Sequence, residues 1–372
     1  MFGVVYSFGE FFGPMADEFG SSRSATALFF AITTFAYFGA GVVTGPIGDR
    51  VGPRPLVVVG GSAMVVGLLL TAEVESIELG YLTYGVGVGL GVACCYVPMV
   101  AAVGGWFERQ RTLALGLAVS GIGTGTLVVV PIVERLIASH GWRDTYRILA
   151  IVTLVLLALA ALGAARPPVP AAATLPVRDT IAGRSDFRRL YASVLFISVA
   201  LFTPFVFLAD YVATTGTDGS AAILLGLIGM ASIAGRLGLG AIAARLDVLG
   251  LYRLSLSVLA ASFVLWIIAG THYWLLVGFA LVLGVSYGGF IALAPAVVAD
   301  RFGTAGMGGV LGTLYTAAGL AGLVGPPLMG RLIDGSGYAA AQWGALASGC
   351  AGAALLIGLR PVAGASVVQP DP

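Results

Sequence analysis

The sequence is a succession of long apolar runs broken by short punctuation, and that spacing leaves it few possible folds. Twelve runs of about 17 to 28 residues are separated by glycine, proline or charged residues, and a helix of that length crosses a hydrocarbon core about 30 Å thick. They fall at roughly residues 2 to 18, 24 to 48, 55 to 73, 78 to 105, 111 to 139, 143 to 165, 187 to 213, 219 to 246, 250 to 271, 273 to 299, 306 to 333 and 338 to 359. Residues are 58% hydrophobic and only 10% charged. A mean hydropathy of +0.99 excludes a soluble globule. The expected architecture is an all-α membrane protein with twelve transmembrane helices.

Alternate loops differ in arginine. Those after even-numbered spans, with the chain's end, hold Arg50, Arg54, Arg109, Arg111, Arg166, Arg178, Arg184, Arg188, Arg189, Arg245, Arg253, Arg301 and Arg360, whereas the opposite loops hold little beyond Arg23 and Arg143. The positive-inside rule then places both termini in the cytoplasm of a cell whose plasma membrane the chain spans. The longest connection begins RPPVPAAATLP and has no apolar periodicity, which makes residues 166–186 a linker between a six-helix half at 1–165 and another at 187–360, with a tail at 361–372. The halves repeat one another. GPIGDR at Gly45 recurs as GAIAAR at Gly240, Trp106-Phe107 as Arg301-Phe302, and PIVERLIASHGW at Pro131 as PLMGRLIDGSGY at Pro327, offsets of 195, 195 and 196. A duplicated unit with an even number of spans inserts the same way up twice, and such an interface is the usual midplane site of a secondary transporter. Met1 opens directly into a short first span, which suggests a late start.

Charges at depth are the candidates for chemistry. Between Asp218 and Arg245 the only ionisable residue is Arg236, in a segment roughly 39 Å long at 1.5 Å per residue. A guanidinium there costs at least ~2.5 kcal/mol and needs an anionic partner, either a protein carboxylate or a substrate. Glu10, in YSFGEFFGP, is either that partner or a proton-titrating carboxyl, and Asp210 in FLADYV has the same two readings. Glu134, Arg135 and Arg331 lie near span ends, where interfacial pairing or snorkelling is expected. The 55 glycines cluster inside spans, as at Gly85, Gly87, Gly89 and Gly91 and at Gly116, Gly121, Gly123 and Gly125, and read as packing surfaces.

Other chemistries find little support. All 19 basic residues are arginine, so Walker-type loops and Schiff-base chemistry are absent, and a net charge of +1 argues against nucleic acid. Cys94, Cys95 and Cys350 have no metal-ligand spacing, and His140 and His272 fall at loop edges. No cofactor, metal or enzymatic role is expected, and the expected functional unit is a single copy.

The stretch Gly45-Pro46-Ile47-Gly48-Asp49-Arg50-Val51-Gly52-Pro53-Arg54 resembles the signature Gly-x-x-x-Asp-Arg-x-Gly-x-Arg of the major facilitator superfamily. That resemblance implies two six-helix halves in a parallel pseudo-twofold repeat. It also implies a gating loop of Gly45, Asp49, Arg50, Gly52 and Arg54, whose aspartate latches the halves when the cavity faces outward. YSFGEFFGPMADEFGSSRS, YVPMVAAVGGWFERQRTLALGLAVSGIGTG, PFVFLADYV and GMASIAGRLGLG further resemble the monocarboxylate transporter family and its prokaryotic relatives. In that family the arginine of span eight, here Arg236, binds the substrate carboxylate, and Tyr96 and Tyr287 match cavity-lining positions. The chain departs from the animal pattern, with Glu10 where a lysine stands and Ser232 where an aspartate precedes the arginine, so Glu10 or Asp210 would carry the proton. In the oxalate/formate antiporters, the nearest rivals, span eleven has a lysine where Tyr315-Thr316-Ala317-Ala318-Gly319 has alanine. The expectation is a proton-coupled carrier of a small organic anion, lactate- or pyruvate-like. A carboxylate antiporter or a non-transporting membrane sensor on the same fold are the alternatives.

Overall fold

The computed structural model describes residues 1–106, 111–166, 184–243, 246–302 and 307–359. Every regular element there is a helix. The first, α1 (residues 2–19), is in two pieces, Phe2–Tyr6 and Phe8–Phe19, interrupted at Ser7, whose hydroxyl donates to the Val4 carbonyl at 2.9 Å. It is followed by α2 (Arg23–Val51) and α3 (Pro53–Thr71). Next, α4 (77–106) runs through one turn at Ile77–Gly80, a π-helix at Tyr81–Val88 and an α-helix at Gly89–Trp106. The stretch Arg111–Gly163 would be roughly 80 Å long if straight, but Gly141 (φ 80°, ψ 168°) folds it back into α5 (111–140) and α6 (142–163). After the linker come α7 (Ser185–Thr215), α8 (Ala221–Ile242), α9 (Val248–Ala269), α10 (Tyr273–Phe302), α11 (Met307–Ser336) and α12 (Tyr338–Ile357).

Among the described residues, ten stretches are long and apolar enough to cross a membrane. The remaining two of the twelve helices are hidden by geometry: α1 is broken at Ser7, and α5 and α6 run on as one stretch.

The backbone carries the sequence repeat further than its letters do. Gly141 and Gly337 stand 196 residues apart and adopt the same conformation, φ 80° with ψ 168° and φ 79° with ψ 176°, which only glycine tolerates easily. Each turns the chain between the fifth and sixth helix of its half. Gly20 and Gly216, also 196 apart, end the first helix of each half in the left-handed region, at φ 57° and 64°. Serines then start the second helices: Ser22 accepts from the Ala25 amide and Ser220 from the Ile223 amide, each at 3.2 Å.

Between the halves α2 packs along α11, α5 along α8, and α1 against α7. Small residues make the close crossings possible. A Cβ on Gly123 would lie 2.5 Å from the Gly229 carbonyl oxygen, and one on Gly229 would lie 2.7 Å from that of Gly123, so α5 and α8 meet backbone to backbone. Among the described residues, polar contacts join the halves at mid-depth and at the face opposite the Gly45–Arg54 loop. On that opposite face Arg23 Nε donates to Asp210 Oδ2 at 2.6 Å and its Nη1 approaches Asp334 at 3.7 Å. The Ser24 amide reaches Asp334 at 3.4 Å, and the Ser220 hydroxyl donates to Glu134 at 2.7 Å. Among the described residues the molecule is cross-linked at that face, whereas α4 and α10 barely touch.

Candidate functional site

Arg236 owes its position to the crossing of α8 and α10. A side chain at Gly235 would collide with the Val285 carbonyl oxygen, and one at Gly288 with that of Ser232, so the two backbones approach as closely as helices can. The guanidinium of Arg236 is thereby held over the ring of Tyr287, 5.4 Å from its centroid. Its Nη1 donates to the Val119 carbonyl of α5 at 2.6 Å, so the residue already bridges the halves. Arg236 is 4% exposed, and its Nε and Nη2 are buried with no hydrogen-bond partner. No acidic residue pairs with it among the described residues. Ser232, where the resemblance would put an aspartate, turns its hydroxyl to the Gly229 carbonyl at 2.7 Å.

Around this cation the protein sets phenols rather than carboxylates. Tyr6, Tyr96 and Tyr315 lie within electrostatic reach of Arg236. Tyr6 comes from the first piece of α1, stacks on Phe205 of α7 with centroids 4.4 Å apart, and meets the Tyr287 hydroxyl at 3.4 Å. Tyr96 of α4 packs edge-on against Phe2 at 5.0 Å, and Phe2 also meets Tyr37 of α2 at 5.8 Å. Three residues singled out in the sequence, Arg236, Tyr96 and Tyr287, therefore share one buried site. Tyr6, Tyr37 and Tyr315 belong to it too, and nothing distinguished them in sequence from packed aromatics, because their rings do pack and only their hydroxyls converge.

The two candidate carboxyls lie elsewhere. Glu10 forms no ion pair with Arg236; its Oε1 is buried without a partner, and the ionisable group within reach of it is Glu134. Asp210 is taken up by the opposite-face cluster, accepting from Arg23 and from the Tyr338 hydroxyl. Glu134, read as an interfacial residue, joins α5 to the first turn of α8 through Ser220.

The Gly45–Arg54 loop is a separate structure. Gly52 (φ 85°, ψ 167°) separates α2 from α3, and Arg54 then donates to the Ala161 and Leu162 carbonyls at the end of α6, at 2.8 and 2.7 Å. Arg166 returns to the Arg50 carbonyl at 2.9 Å, and Gly45 faces Val97 of α4. Arg253 repeats the arrangement in the second half, donating to Leu356 at 3.1 Å and to Leu359 at the end of α12. The side chain of Asp49, and with it the expected latch, lies outside the described residues, as do Phe107, residues 167–183 of the linker, Arg245 and the tail from residue 360. Cys95 is buried and Cys94 half-buried, and among the described residues no group of His, Cys, Asp or Glu is arranged to hold a metal.

Comparison with known proteins agrees with this architecture. Residues 1–254 match the family model described as Major Facilitator Superfamily. The chain is similar to Monocarboxylate transporter 3 of Rattus norvegicus, 31% identical over 354 residues that cover 89% of this chain and 72% of the relative. It is similar to Monocarboxylate transporter 11 of Homo sapiens, 32% identical over 359 residues, covering 90% and 74%. The agnestins efflux protein AgnL12 of Paecilomyces divaricatus is 30% identical over 349 residues, covering 90% and 78%. With its twelve helices, its repeated half and its family match, the chain belongs to the major facilitator superfamily of secondary transporters.

Proposed function

We propose that this transporter carries a small monocarboxylate, lactate- or pyruvate-like, together with a proton, by alternating exposure of Arg236 to the two sides. The observation that carries this reading is the pair of N–H groups on Arg236, Nε and Nη2, buried and unanswered by any protein acid. A guanidinium edge of that kind matches a carboxylate with two parallel hydrogen bonds. An unpaired buried cation is expensive, and a bound anion supplies the missing charge. Because one positive charge is available, one negative charge is the matching load, which favours a monocarboxylate over a dianion. Resemblance to the monocarboxylate transporters adds weight, with Tyr96 and Tyr287 lining the site.

In this reading the halves are residues 1–165 and 187–360, joined by the linker 166–186 and followed by a tail at 361–372. The loop of Gly45, Asp49, Arg50, Gly52 and Arg54 gates the cytoplasmic face, on which both termini lie, in the plasma membrane. Glu10 is the proton-coupling carboxyl, because one of its oxygens is buried with no fixed cation to hold it ionised. Asp210 takes part through the ion cluster that closes the outer face.

The test is uptake of labelled lactate into proteoliposomes with and without an inward proton gradient. Gradient-driven accumulation that Arg236→Ala abolishes, in protein that still elutes as a folded monomer, is the expected result. Truncating one partner of a buried hydrogen-bonded charge pair costs about 2 to 5 kcal/mol, or roughly 30-fold in binding at the least. Full activity in Arg236→Ala would remove the site assignment, and exchange without net accumulation would replace symport with antiport.

A further inference from the structure

Away from Arg236, the start of α7 and the end of α12 leave a groove of about 480 Å³ between them, lined by Arg189, Phe196, Ala351, Ala354 and Leu355. Ala351 and Ala354 belong to the exposed face of α12, whereas Gly349, Gly352 and Leu356 are buried. The two helices are joined beside it: the Ser193 hydroxyl donates to the Gly352 carbonyl and the Ser348 hydroxyl to the Phe196 carbonyl, each at 2.7 Å. With only these two helices lining it and its rim exposed, the groove opens on the outer surface of the bundle.

One end of the groove is charged. The Arg189 guanidinium lies where a side chain at Gly358 would stand. The arginines near it are committed to the protein: Arg253 donates to the Leu356 and Leu359 carbonyls, Arg301 pairs with Asp186, and Arg184 donates to the Arg301 carbonyl. Among the described residues Arg189 pairs with no acid. Depth follows from length. At 31 residues α7 is about 46 Å long against a hydrocarbon core of about 30 Å. Shared between its ends, the excess leaves about five residues, Ser185–Arg189, at headgroup level. Phe196 lies seven residues further in, about 10 Å deeper and among acyl chains.

We infer that this groove is a binding site for one anionic phospholipid, its phosphate on Arg189 and an acyl chain laid between Phe196 and the small residues of α12. The charges match: a guanidinium forks onto a phosphate with two parallel hydrogen bonds, and basic pockets between membrane helices suit such headgroups. A zwitterionic lipid would bring its own cation beside Arg189. The site shares no residue with the Arg236 site.

The experiment is native mass spectrometry of the purified full chain in detergent micelles holding equal amounts of phosphatidylglycerol and phosphatidylcholine with the same acyl chains. Wild-type protein is expected to retain phosphatidylglycerol over phosphatidylcholine by about fivefold, the worth of one interfacial arginine. Arg189→Gln is expected to bring that ratio near one and Arg189→Lys to keep most of it. Arg331→Gln, which removes an exposed arginine near the outer end of α11, is expected to leave it unchanged. Ala354→Phe fills the groove without touching the charge and is expected to lower retention of phosphatidylglycerol several-fold. All four substitutions fall on exposed side chains, where folding tolerates change. A wild-type ratio near one, a ratio that Arg189→Gln leaves intact, or retention that Ala354→Phe leaves intact would overturn the site. Displacement of the lipid by an equal concentration of glycerol 3-phosphate would make it a site for free phosphate esters, and a dimer that Ala354→Phe disperses would give the groove to a second copy; either would overturn the lipid assignment.

Discussion

An arginine buried at 4% exposure with two of its N–H groups unanswered is a costly thing to build. The protein reduces that cost with the Val119 carbonyl and the Tyr287 ring, neither of which cancels the charge. In the proposed reading, a bound anion supplies what these N–H groups lack. Glu10 presents the complementary case, a carboxyl oxygen buried without partner on the broken helix α1, with another acid, Glu134, as its ionisable neighbour. Glu10→Gln is therefore expected to keep lactate exchange between loaded vesicles at near wild-type rate and to lose accumulation driven by a proton gradient. Accumulation unchanged in the variant would remove Glu10 from the proton path.

At the scale of elements, glycine decides where helices turn and how near they come. Gly141 and Gly337 hold the same backbone angles at the same place in each half, and a side chain there is strained by about 1 to 3 kcal/mol. Gly141→Ala and Gly337→Ala are each expected to lower unfolding free energy in detergent by that amount, and by similar amounts, because neither Cβ would meet another atom within 4 Å. A large difference between them would mean the two turns are not equivalent. These positions were already visible in the repeat of PIVERLIASHGW and PLMGRLIDGSGY. The paired arginines Arg54 and Arg253, which close the last helix of each half, were visible only as loop charge, since their acceptors are carbonyls more than 100 residues away.

For the whole molecule the polar links are unequal. On the face away from the Gly45–Arg54 loop, Arg23 joins Asp210 and Asp334 across the halves, whereas α4 and α10 barely touch among the described residues. Among the described residues, the ion pairs that join the halves lie on that face. An ion pair of this partly exposed kind is worth up to about 1 kcal/mol, so losing it shifts a two-state balance by about fivefold. Asp210→Asn is expected to populate the state open at that face, read as a longer spin-label distance between Glu75→Cys and Asp218→Cys in a background without native cysteines. A distance distribution identical to wild type would show that Arg23 and Asp210 do not set the balance.

Fold and site were legible in the sequence to different degrees. Twelve apolar runs, arginine-rich alternate loops and a repeat at 195 to 196 residues follow from one-dimensional spacing, because a bilayer imposes its thickness on every run and a duplicated unit keeps its offsets. The lone charge of span eight was equally plain, and Arg236, Tyr96 and Tyr287 were named from it and from family resemblance. Which partner Arg236 has was open, since a protein acid and a ligand predict the same arginine. Only the tertiary structure decided that no acid among the described residues pairs with it, that Asp210 belongs to the opposite-face cluster, and that the Tyr6 hydroxyl meets Tyr287 of the other half. The physical reason is that such convergence depends on how helices from two halves are rotated and how closely they approach, and neither quantity is written in the spacing of a single chain.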